Sequence, residues 1–289
     1  MNKKNLGFAA GNNIGIKWAL DRDFDYIYLL NQDTIVDPDF LIEATKALDS
    51  DNQVGAAQSL LMLWPEKDKV NSLGNNLHFL GFGYAGGHQS LVTSHQFGMN
   101  KEIAYTSGAA SLWQISALKE IGLFDDKFYM YHEDLDLGWR LRLAGYKSVL
   151  AAGSVIYHKY SFSKSIKKYY WMERNRFICL LTNYKIATLI LILPAFLIME
   201  AGLFVFSFIN GFWGEKIKCY FWIINPWHWP YLVKRRFQII KIRKAKDHEV
   251  VRLFTGKIEF QEINNPILKY FVNPIFNLYW LLIKKIVKW

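Results

Sequence analysis

The chain has 289 residues, of which 52% are hydrophobic, and carries a formal net charge of +10 with only two cysteines. Cys179 and Cys219 lie far apart without metal-ligand spacing, which excludes a disulfide framework and a cysteine zinc site and fits a reducing cytosolic environment. No apolar run follows Met1, so a secretory signal peptide is not predicted. The 11 Trp, 16 Tyr and 21 Phe exceed what a soluble domain of this size usually carries.

The first part of the chain predicts alternating helices and strands. Gly11–Leu20 follows a helical pattern, and Tyr26–Leu30 is a short apolar run typical of a buried parallel strand. Asp37 and Pro38 are typical of a helix start, and this helix is predicted to end near Leu48. The later predicted elements are a strand at Val54–Ala57, a loop or hairpin at Gly74–Gly87, a bent strand at Ala104–Trp113 and a helix at Ile115–Ile121.

Asp33 follows the first predicted strand and has no obvious capping role. In open α/β sheets, ligands bind beyond the carboxyl ends of the strands. A carboxylate at this position suits Mg²⁺ or Mn²⁺ bridging to a diphosphate. An Asx turn that closes the strand is the structural alternative.

Three carboxylates lie within four positions, at Glu133, Asp134 and Asp136. Clustered carboxylates repel one another, so such a group is typical of a catalytic base or a ligand site. On a helix Glu133 and Asp134 point about 100° apart and cannot share one role. Asp136 lies four residues before Arg140, which predicts an ion pair. The order of the elements places this acidic cluster and Asp33 at corresponding edges of one sheet.

The positive charge lies entirely in the C-terminal part of the chain. Residues 215–289 hold 15 Lys and Arg against 5 Asp and Glu, whereas residues 1–185 hold 20 against 19. Between them Ile186–Phe208 is an apolar run long enough to cross a bilayer core of roughly 30 Å. Pro194 and Glu200 interrupt it, and one crossing would place the basic segment outside, against the positive-inside rule.

A shallow or re-entrant segment, or a second crossing, is therefore favoured. The Trp- and Lys-rich segments that follow predict attachment to a membrane surface, through aromatic residues at the interface and lysines on anionic headgroups. The alternative is a buried core helix with a solvated basic face. Nucleic-acid binding is not predicted, because the basic residues accompany apolar segments and no nucleic-acid motif is present.

Five segments, taken together and in this order, resemble the family 2 glycosyltransferases of the GT-A fold. They are Asn5–Gly15, Leu30–Asp33, Ser107–Ala109, Gly122–Asp125 and His132–Asp136, the last accompanied by Arg140 and Gly145–Tyr146. Within that family the chain is most similar to bacterial rhamnosyltransferase-like enzymes of cell-surface polysaccharide assembly. The resemblance implies an α/β, Rossmann-like, mostly parallel sheet domain over residues 1–185, followed by a helical membrane-associated region over residues 186–289.

The resemblance also implies an activity. It is the inverting, metal-dependent transfer of a sugar, with rhamnose as the candidate, from a nucleotide-sugar donor to a lipid-linked or polysaccharide acceptor. The expected location is the cytoplasmic face of the bacterial inner membrane. An inverting transfer needs a base for the acceptor hydroxyl, and a carboxylate with a raised pKa can serve.

Position by position, the resemblance points to Asp134 as the base, with Glu133 as the second candidate. Asp33 corresponds to the last acid of the family's Asp-X-Asp motif, whose first position is Asn31 here. His158 matches a further metal or phosphate contact, with an ordinary strand-end histidine as its alternative. The residues expected to bind the nucleotide-sugar or its metal are Asn5, Gly7, Asn12, Asn31, Asp33, Gly108 and Arg140.

One part of the family pattern is not matched. Family members begin with a strand and an Asp-bearing turn that hold the nucleotide base, followed by a strand with an Asp-Asn-X-Ser type motif; the resemblance here begins after both. It therefore predicts an N-terminally incomplete domain whose sheet has an unpaired edge. Either a partner chain supplies the missing part, or the start of the sequence is misplaced, or the protein is a remnant. The alternative function is a non-catalytic, membrane-bound remnant or subunit that binds a partner or an acceptor.

Overall fold

The computed structural model describes residues 4–91, 100–160, 166–259 and 266–289. Its helices are α1 (Gly7–Leu20), α2 (Phe40–Leu48), α3 (Ile115–Ile121), α4 (Glu133–Leu143), α5 (Ile166–Asn183), α6 (Ile186–Ile209), α7 (Trp213–Ile224), α8 (Trp229–Ile242), α9 (Asp247–Val250) and α10 (Asn273–Ile286). Its strands are β1 (Tyr26–Leu30), β2 (Thr34–Val36), β3 (Val54–Leu63), β4 (Val70–Ser72), β5 (Asn75–Leu77), β6 (Gly83–Ala85), β7 (Lys101–Ile103), β8 (Ala110–Gln114) and β9 (Lys147–His158).

Seven strands form one sheet in the order β1-β8-β3-β9-β2, with β4 beside β3 and β7 beside β9, while β5 and β6 form a separate hairpin. The α/β class is confirmed, but the expectation of a mostly parallel sheet is wrong. Among the described strands only β3 and β9 pair in parallel. The reason is the chain path: the described residues between β3 and β8 form short strands and turns and include no crossover helix of the kind that parallel neighbours require.

The strand directions bring the sequence motifs to one edge. Because β8 is antiparallel to both β1 and β3, these two strands run in the same direction, and β9 runs with β3. The carboxyl ends of β1, β3 and β9 and the start of β8 therefore share one edge of the sheet. Asp33, His158 and residues 107–109 all lie at this edge.

Local signals placed several elements correctly. Helix α3 has the predicted bounds. It ends at Ile121 because Gly122 has φ +80° and stops it. Helix α2 begins at Phe40, two residues after Pro38, since the Asp37 carbonyl accepts from the Phe40 amide at 3.1 Å and closes a turn first. The predicted bent strand becomes β8 from Ala110 onward, and residues 104–109 approach the site as irregular chain.

The C-terminal region is helical, as expected, and it packs against the sheet domain. The largest apolar cluster contains residues from both sides of the expected boundary at residue 185, including Phe79, Trp139, Phe254 and Trp280. Phe79 stacks on Trp280 with ring centroids 4.7 Å apart. Helix α6 has a mean hydropathy of 2.5 and is the one helix of the described residues long and apolar enough to cross a membrane.

Candidate functional site

The acidic cluster forms the first turn of α4. His132 precedes the helix in the left-handed region, with φ 65°, and turns the chain so that Glu133 and Asp134 begin α4. Asp134 is held by two backbone donors: the Leu135 amide donates to Oδ1 at 2.7 Å, and the Gly108 amide donates to Oδ2 at 3.2 Å. A carboxylate at a helix N-terminus is also favoured by the helix dipole.

Burial sets the protonation of this pair. Glu133 is buried, and its Oε2 has no hydrogen-bond partner among the described residues. Burial and then the charge of Asp134 raise the pKa of Glu133 well above its usual range. Burial also raises the pKa of Asp134, opposed by the amides of Gly108 and Leu135. We expect the pair to carry one negative charge near neutral pH, located on Asp134.

The loop that enters α4 has an unusual backbone. Tyr129, Tyr131 and His132 all have φ between 63° and 65°, a region that side chains other than glycine seldom occupy. Asn175 of α5 secures this loop, because its Nδ2 lies 2.7–3.0 Å from the carbonyl oxygens of residues 128, 130 and 131. Strained backbone of this kind persists when surrounding contacts fix it, and it is concentrated at functional sites.

A cavity of about 170 Å³ opens at the start of α4. Both carboxylates of the pair border it, and α5 contributes one apolar side chain. The lining residues are Gly83, Tyr105, Tyr131, His132, Glu133, Asp134, Leu135 and Met172. His132 itself is buried, and its Nε2 contacts the Gly81 carbonyl at 3.1 Å.

Asp33 and His158, separated by 125 positions in the sequence, meet at the same edge of the sheet. Antiparallel pairing of β2 with β9 sets Thr34 opposite His158, so Asp33 Oδ1 lies 3.4 Å from His158 Nε2. This oxygen is buried and has no hydrogen-bond partner among the described residues. Burial lowers the pKa of His158, partly opposed by Asp33, which favours a neutral imidazole.

Asn71 of β4 determines which imidazole nitrogen carries the proton. Its Oδ1 lies 2.9 Å from His158 Nδ1. An amide oxygen only accepts hydrogen bonds, so Nδ1 must donate and Nε2 keeps its lone pair. Two electron-rich atoms, Nε2 of His158 and Oδ1 of Asp33, therefore face each other, an arrangement that a cation between them would stabilise.

The segment at residues 107–109 joins the two halves of the site. The Gly108 amide contacts Asp134, and the Ala109 carbonyl accepts from the Asn31 amide at 2.9 Å. A Cβ on Gly108 would lie 2.8 Å from the Phe8 ring, so only glycine lets α1, this segment and Asp134 approach so closely.

The N-terminal motif packs beside the same loop. Gly7 has φ +79°, and a Cβ there would lie 2.5 Å from atoms of Tyr129. Asn5 Oδ1 accepts from the Gly7 amide at 2.9 Å and starts the helix, while Asn12 Nδ2 donates to the Phe8 carbonyl at 2.9 Å. Asn5 and Asn12 thus have local contacts within the start of α1, close to the loop before α4.

Arg140 lies away from the cavity, in a buried ion cluster. Its Nε donates to Asp136 at 2.8 Å, and its terminal nitrogens donate to the carbonyls of Ile121 and Leu123 at 2.6 and 2.7 Å. The ion pair expected at this spacing is present. These contacts hold Arg140 within the fold, and the nucleotide contact expected from the sequence stays a prediction.

Sequence reasoning missed two partners of this site. Asn71 contacts His158 across 87 positions of sequence. Arg235 contacts Asp136 across 99 positions. No local pattern marks either residue. Among the described residues there is no group of three or more His, Cys, Asp or Glu side chains that could hold a metal ion. A cation at Asp33 and His158 would need further ligands from substrate or water.

Known proteins are similar to this chain in the part that contains these motifs. Residues 3–179 match the sequence model of the family described as glycosyltransferase like family 2. The rhamnosyltransferase WbbL of Escherichia coli K12 is 26% identical over 190 residues, which cover 59% of this chain and 69% of that protein. The N-acetylglucosaminyl-diphospho-decaprenol L-rhamnosyltransferase of Mycobacterium tuberculosis H37Rv is 40% identical over 60 residues, 20% of each chain.

Among solved structures, GalNAc-T7 with UDP, GalNAc and Mn²⁺ is similar with a TM-score of 0.48 and 11% identity, covering 63% of this chain and 35% of that one. This structural similarity is weak, and the family of the chain follows from the match to the family model. That match covers more than half of the 289 residues and includes the starts of α1 and α4, Asp33 and His158. The chain belongs to the family 2 glycosyltransferases.

Proposed function

We propose that the protein transfers a sugar from a nucleotide-sugar donor to a lipid-linked acceptor in polysaccharide synthesis, with inversion at the sugar carbon and with Asp134 as the base. The observation that supports this most is the carboxylate pair at the head of α4: Glu133 and Asp134 border one cavity, and burial raises the pKa of both. Rhamnose is the candidate sugar and a diphospho-polyprenol the candidate acceptor, following the names of the relatives.

Asp134 suits proton removal from an acceptor hydroxyl. Its raised pKa makes it a stronger base than an exposed aspartate, and the Leu135 and Gly108 amides orient it. Burial and the charge of Asp134 raise the pKa of Glu133, which favours its protonated form and so disfavours a second charge in the cavity. As the hydroxyl loses its proton to Asp134, its oxygen attacks C1 of the donor sugar from the face opposite the nucleotide diphosphate, which leaves.

Asp33 and His158 fit a divalent cation, Mg²⁺ or Mn²⁺. The buried Asp33 Oδ1 without a hydrogen bond and the lone pair of His158 Nε2 face each other across 3.4 Å, and a hard or borderline cation accepts both ligand types. Asn31, two residues before Asp33 and directly after β1, could offer an amide oxygen. Such a cation supplies charge neutralisation for the leaving diphosphate. In this proposal Asn71 holds His158 in the tautomer that exposes Nε2.

Asn71 gives this proposal a test that does not depend on turnover. Asn71→Leu removes the acceptor for His158 Nδ1 and should weaken Mn²⁺ binding about 10- to 100-fold in calorimetry. Asn71→Asp keeps an acceptor and should bind Mn²⁺ within a few-fold of the wild-type chain. Equal Mn²⁺ affinity in Asn71→Leu and wild type would contradict the role of Asn71, and no Mn²⁺ binding by the wild-type chain would contradict the cation site.

The second candidate function is a non-catalytic subunit that binds a partner chain. It is favoured by β1, which pairs only with β8 among the described strands and leaves its other edge open. Exposed apolar side chains lie near this edge, among them Trp18, Phe24 and Leu30. Calorimetry with nucleotide sugars separates the two: the transferase binds one of them, and a non-catalytic subunit binds none.

A further inference from the structure

Helix α6 combines a membrane-like composition with a firm attachment to the catalytic domain. Its 24 residues would extend about 36 Å at helical rise, enough to cross a bilayer core. Yet one face is buried along its length, through Thr188, Ile192, Ala195, Met199, Glu200 and Ser207. A helix that crosses a membrane alone would not need this buried face.

Glu200, in the second half of α6, belongs to a buried cluster of two anions and two cations. Lys216 Nζ lies 2.7 Å from Glu200 Oε2, and Arg176 also contacts Glu200. Arg176 and Lys216 both bind Glu173 of α5 as well, the former at 3.0 Å. Tyr220 donates to Glu200 at 2.9 Å. The charges cancel, and every member has an opposite partner, which a buried charge requires.

Along α5, this cluster is adjacent to the residues that hold the loop before α4, residues 127–132, here called the catalytic loop. Asn175, beside Arg176 on α5, binds the carbonyls of residues 128, 130 and 131, and Arg174 binds the carbonyl of residue 127. Met172, just before Glu173, lines the cavity that contains Asp134. If α6 crossed a bilayer, its central part would carry α5 and the catalytic loop into the hydrocarbon, where ionised groups and polar loops are strongly disfavoured.

The opposite face of α6 is an exposed apolar stripe. Its members recur every three, four or seven residues: Ile186, Ile190, Leu193, Leu197, Phe204 and Phe208. Two other C-terminal helices, α8 and α10, have comparable stripes. On α8 the exposed residues are Trp229, Val233, Phe237 and Ile240, and on α10 they are Ile275, Leu278, Leu282 and Ile286.

The C-terminal helices that carry these stripes, and the segments next to them, also carry exposed cations and tryptophan. Lys218, Lys234, Lys241, Lys285 and Lys288 are exposed, as is Trp227. Residues 215–289 hold 15 Lys and Arg against 5 Asp and Glu. Exposed apolar stripes together with exposed tryptophan and lysine match the boundary between acyl chains and anionic headgroups, and they do not match a protein core.

We propose that the protein is monotopic: α6 lies in the plane of one leaflet of an anionic bilayer, its stripe facing the acyl chains and Glu200 facing the protein. The charge cluster of Glu173, Arg176, Glu200 and Lys216 fixes this orientation. The same attachment keeps the Asp134 cavity near the membrane surface, which, if the proposed function holds, lets a lipid-linked acceptor reach it without leaving the bilayer.

Side-specific labelling tests the arrangement directly. Asn210→Cys marks the exposed end of α6, and Asp21→Cys marks the exposed catalytic side; the native Cys179 and Cys219 are buried, so wild type serves as background. The two variants are labelled in right-side-out vesicles and, separately, in inside-out vesicles. In each kind of vesicle, a membrane-impermeant maleimide should label both positions or neither. Labelling of the two positions from opposite sides would overturn the monotopic arrangement.

Vesicle flotation tests the surface itself. The purified chain should float with vesicles made of equal parts phosphatidylcholine and phosphatidylglycerol, and less with phosphatidylcholine alone. Leu193→Glu with Leu197→Glu should lower the bound fraction at least about tenfold, since two charges must enter the interface. Leu41→Glu with Ile42→Glu, on the exposed face of α2, is the matched control and should bind as wild type. Unchanged binding of the α6 variant, or no binding by wild type, would contradict the proposal.

Discussion

Replacing Asp134 by Asn should lower the turnover of sugar transfer by about 10²- to 10⁴-fold, the usual contribution of a general base. Asparagine keeps the size of the side chain, and its one carbonyl oxygen can accept from the Leu135 amide, but its NH2 group cannot accept from the Gly108 amide and it cannot take the proton of the acceptor hydroxyl. Nucleotide-sugar affinity should stay near that of the wild-type chain, and the melting temperature should fall only modestly, because besides the reacting carboxylate only the 3.2 Å contact with Gly108 is lost.

Glu133→Gln is the matched control for this change. If Glu133 is protonated at neutral pH, glutamine reproduces its charge, and turnover should stay within about tenfold of wild type. The raised pKa of Asp134 also predicts that the rate falls on the acid side at a pH above the ordinary titration range of aspartate, because the protonated form cannot act as a base. A large loss in Glu133→Gln with little loss in Asp134→Asn would reverse the two roles.

Replacing Asp136 by Leu should destabilise the fold by about 3–5 kcal/mol, the typical cost of removing one partner from a buried ion pair. Asp136 is fully buried and accepts from Arg140 at 2.8 Å, from Arg235 and from Asn183 at 3.2 Å. Without it Arg140 and Arg235 lose their shared anion. The free energy of unfolding from urea denaturation measures the effect.

A surface pair provides the control, and pH provides a second test. Asp51→Ala removes the exposed contact with Lys147 and should leave the midpoint of urea unfolding close to that of the wild-type chain, because solvent screens an exposed ion pair. Burial would raise the pKa of Asp136, but Arg235 and Arg140 outweigh it and lower the pKa to about 2. Its contribution is therefore present above the unfolded pKa near 3.8 and is lost as pH falls toward 2. Equal urea stability of Asp136→Leu and wild type at pH 7 would contradict this role.

The sequence predicts elements whose signals are local. The Tyr26–Leu30 strand and the α3 helix follow from a short apolar run and a stop glycine, and both have the predicted bounds. The apolar run predicts a buried, parallel strand, but the strand pairs antiparallel with β8 and is mostly half-buried. The edge position of Asp33 follows from its place directly after a strand. These predictions depend on residues within one turn or one strand, where propensity and capping decide the structure.

Features that depend on contacts between distant parts of the chain could not be predicted from the sequence. The antiparallel insertion of β8 between β1 and β3 depends on how residues 104–109 return to the sheet, which no periodicity records. Asn71 meets His158 only because β4 and β9 both pair with β3 around Leu61 and Met62. The partners of Glu200 are found only once α5, α6 and α7 are packed together, although the lone acid in an apolar helix marks the position.

The most direct measurement is product formation by the full chain. Vesicles containing a diphospho-polyprenol-linked N-acetylglucosamine would be incubated with the protein, Mg²⁺ or Mn²⁺ and each of a set of nucleotide sugars, and the lipid analysed by mass spectrometry. The proposed function predicts that wild type adds one sugar from one of these donors with inverted configuration, and that Asp134→Asn adds none in the same time. No sugar addition by wild type from any donor, or equal addition by both chains, would contradict sugar transfer with Asp134 as the base.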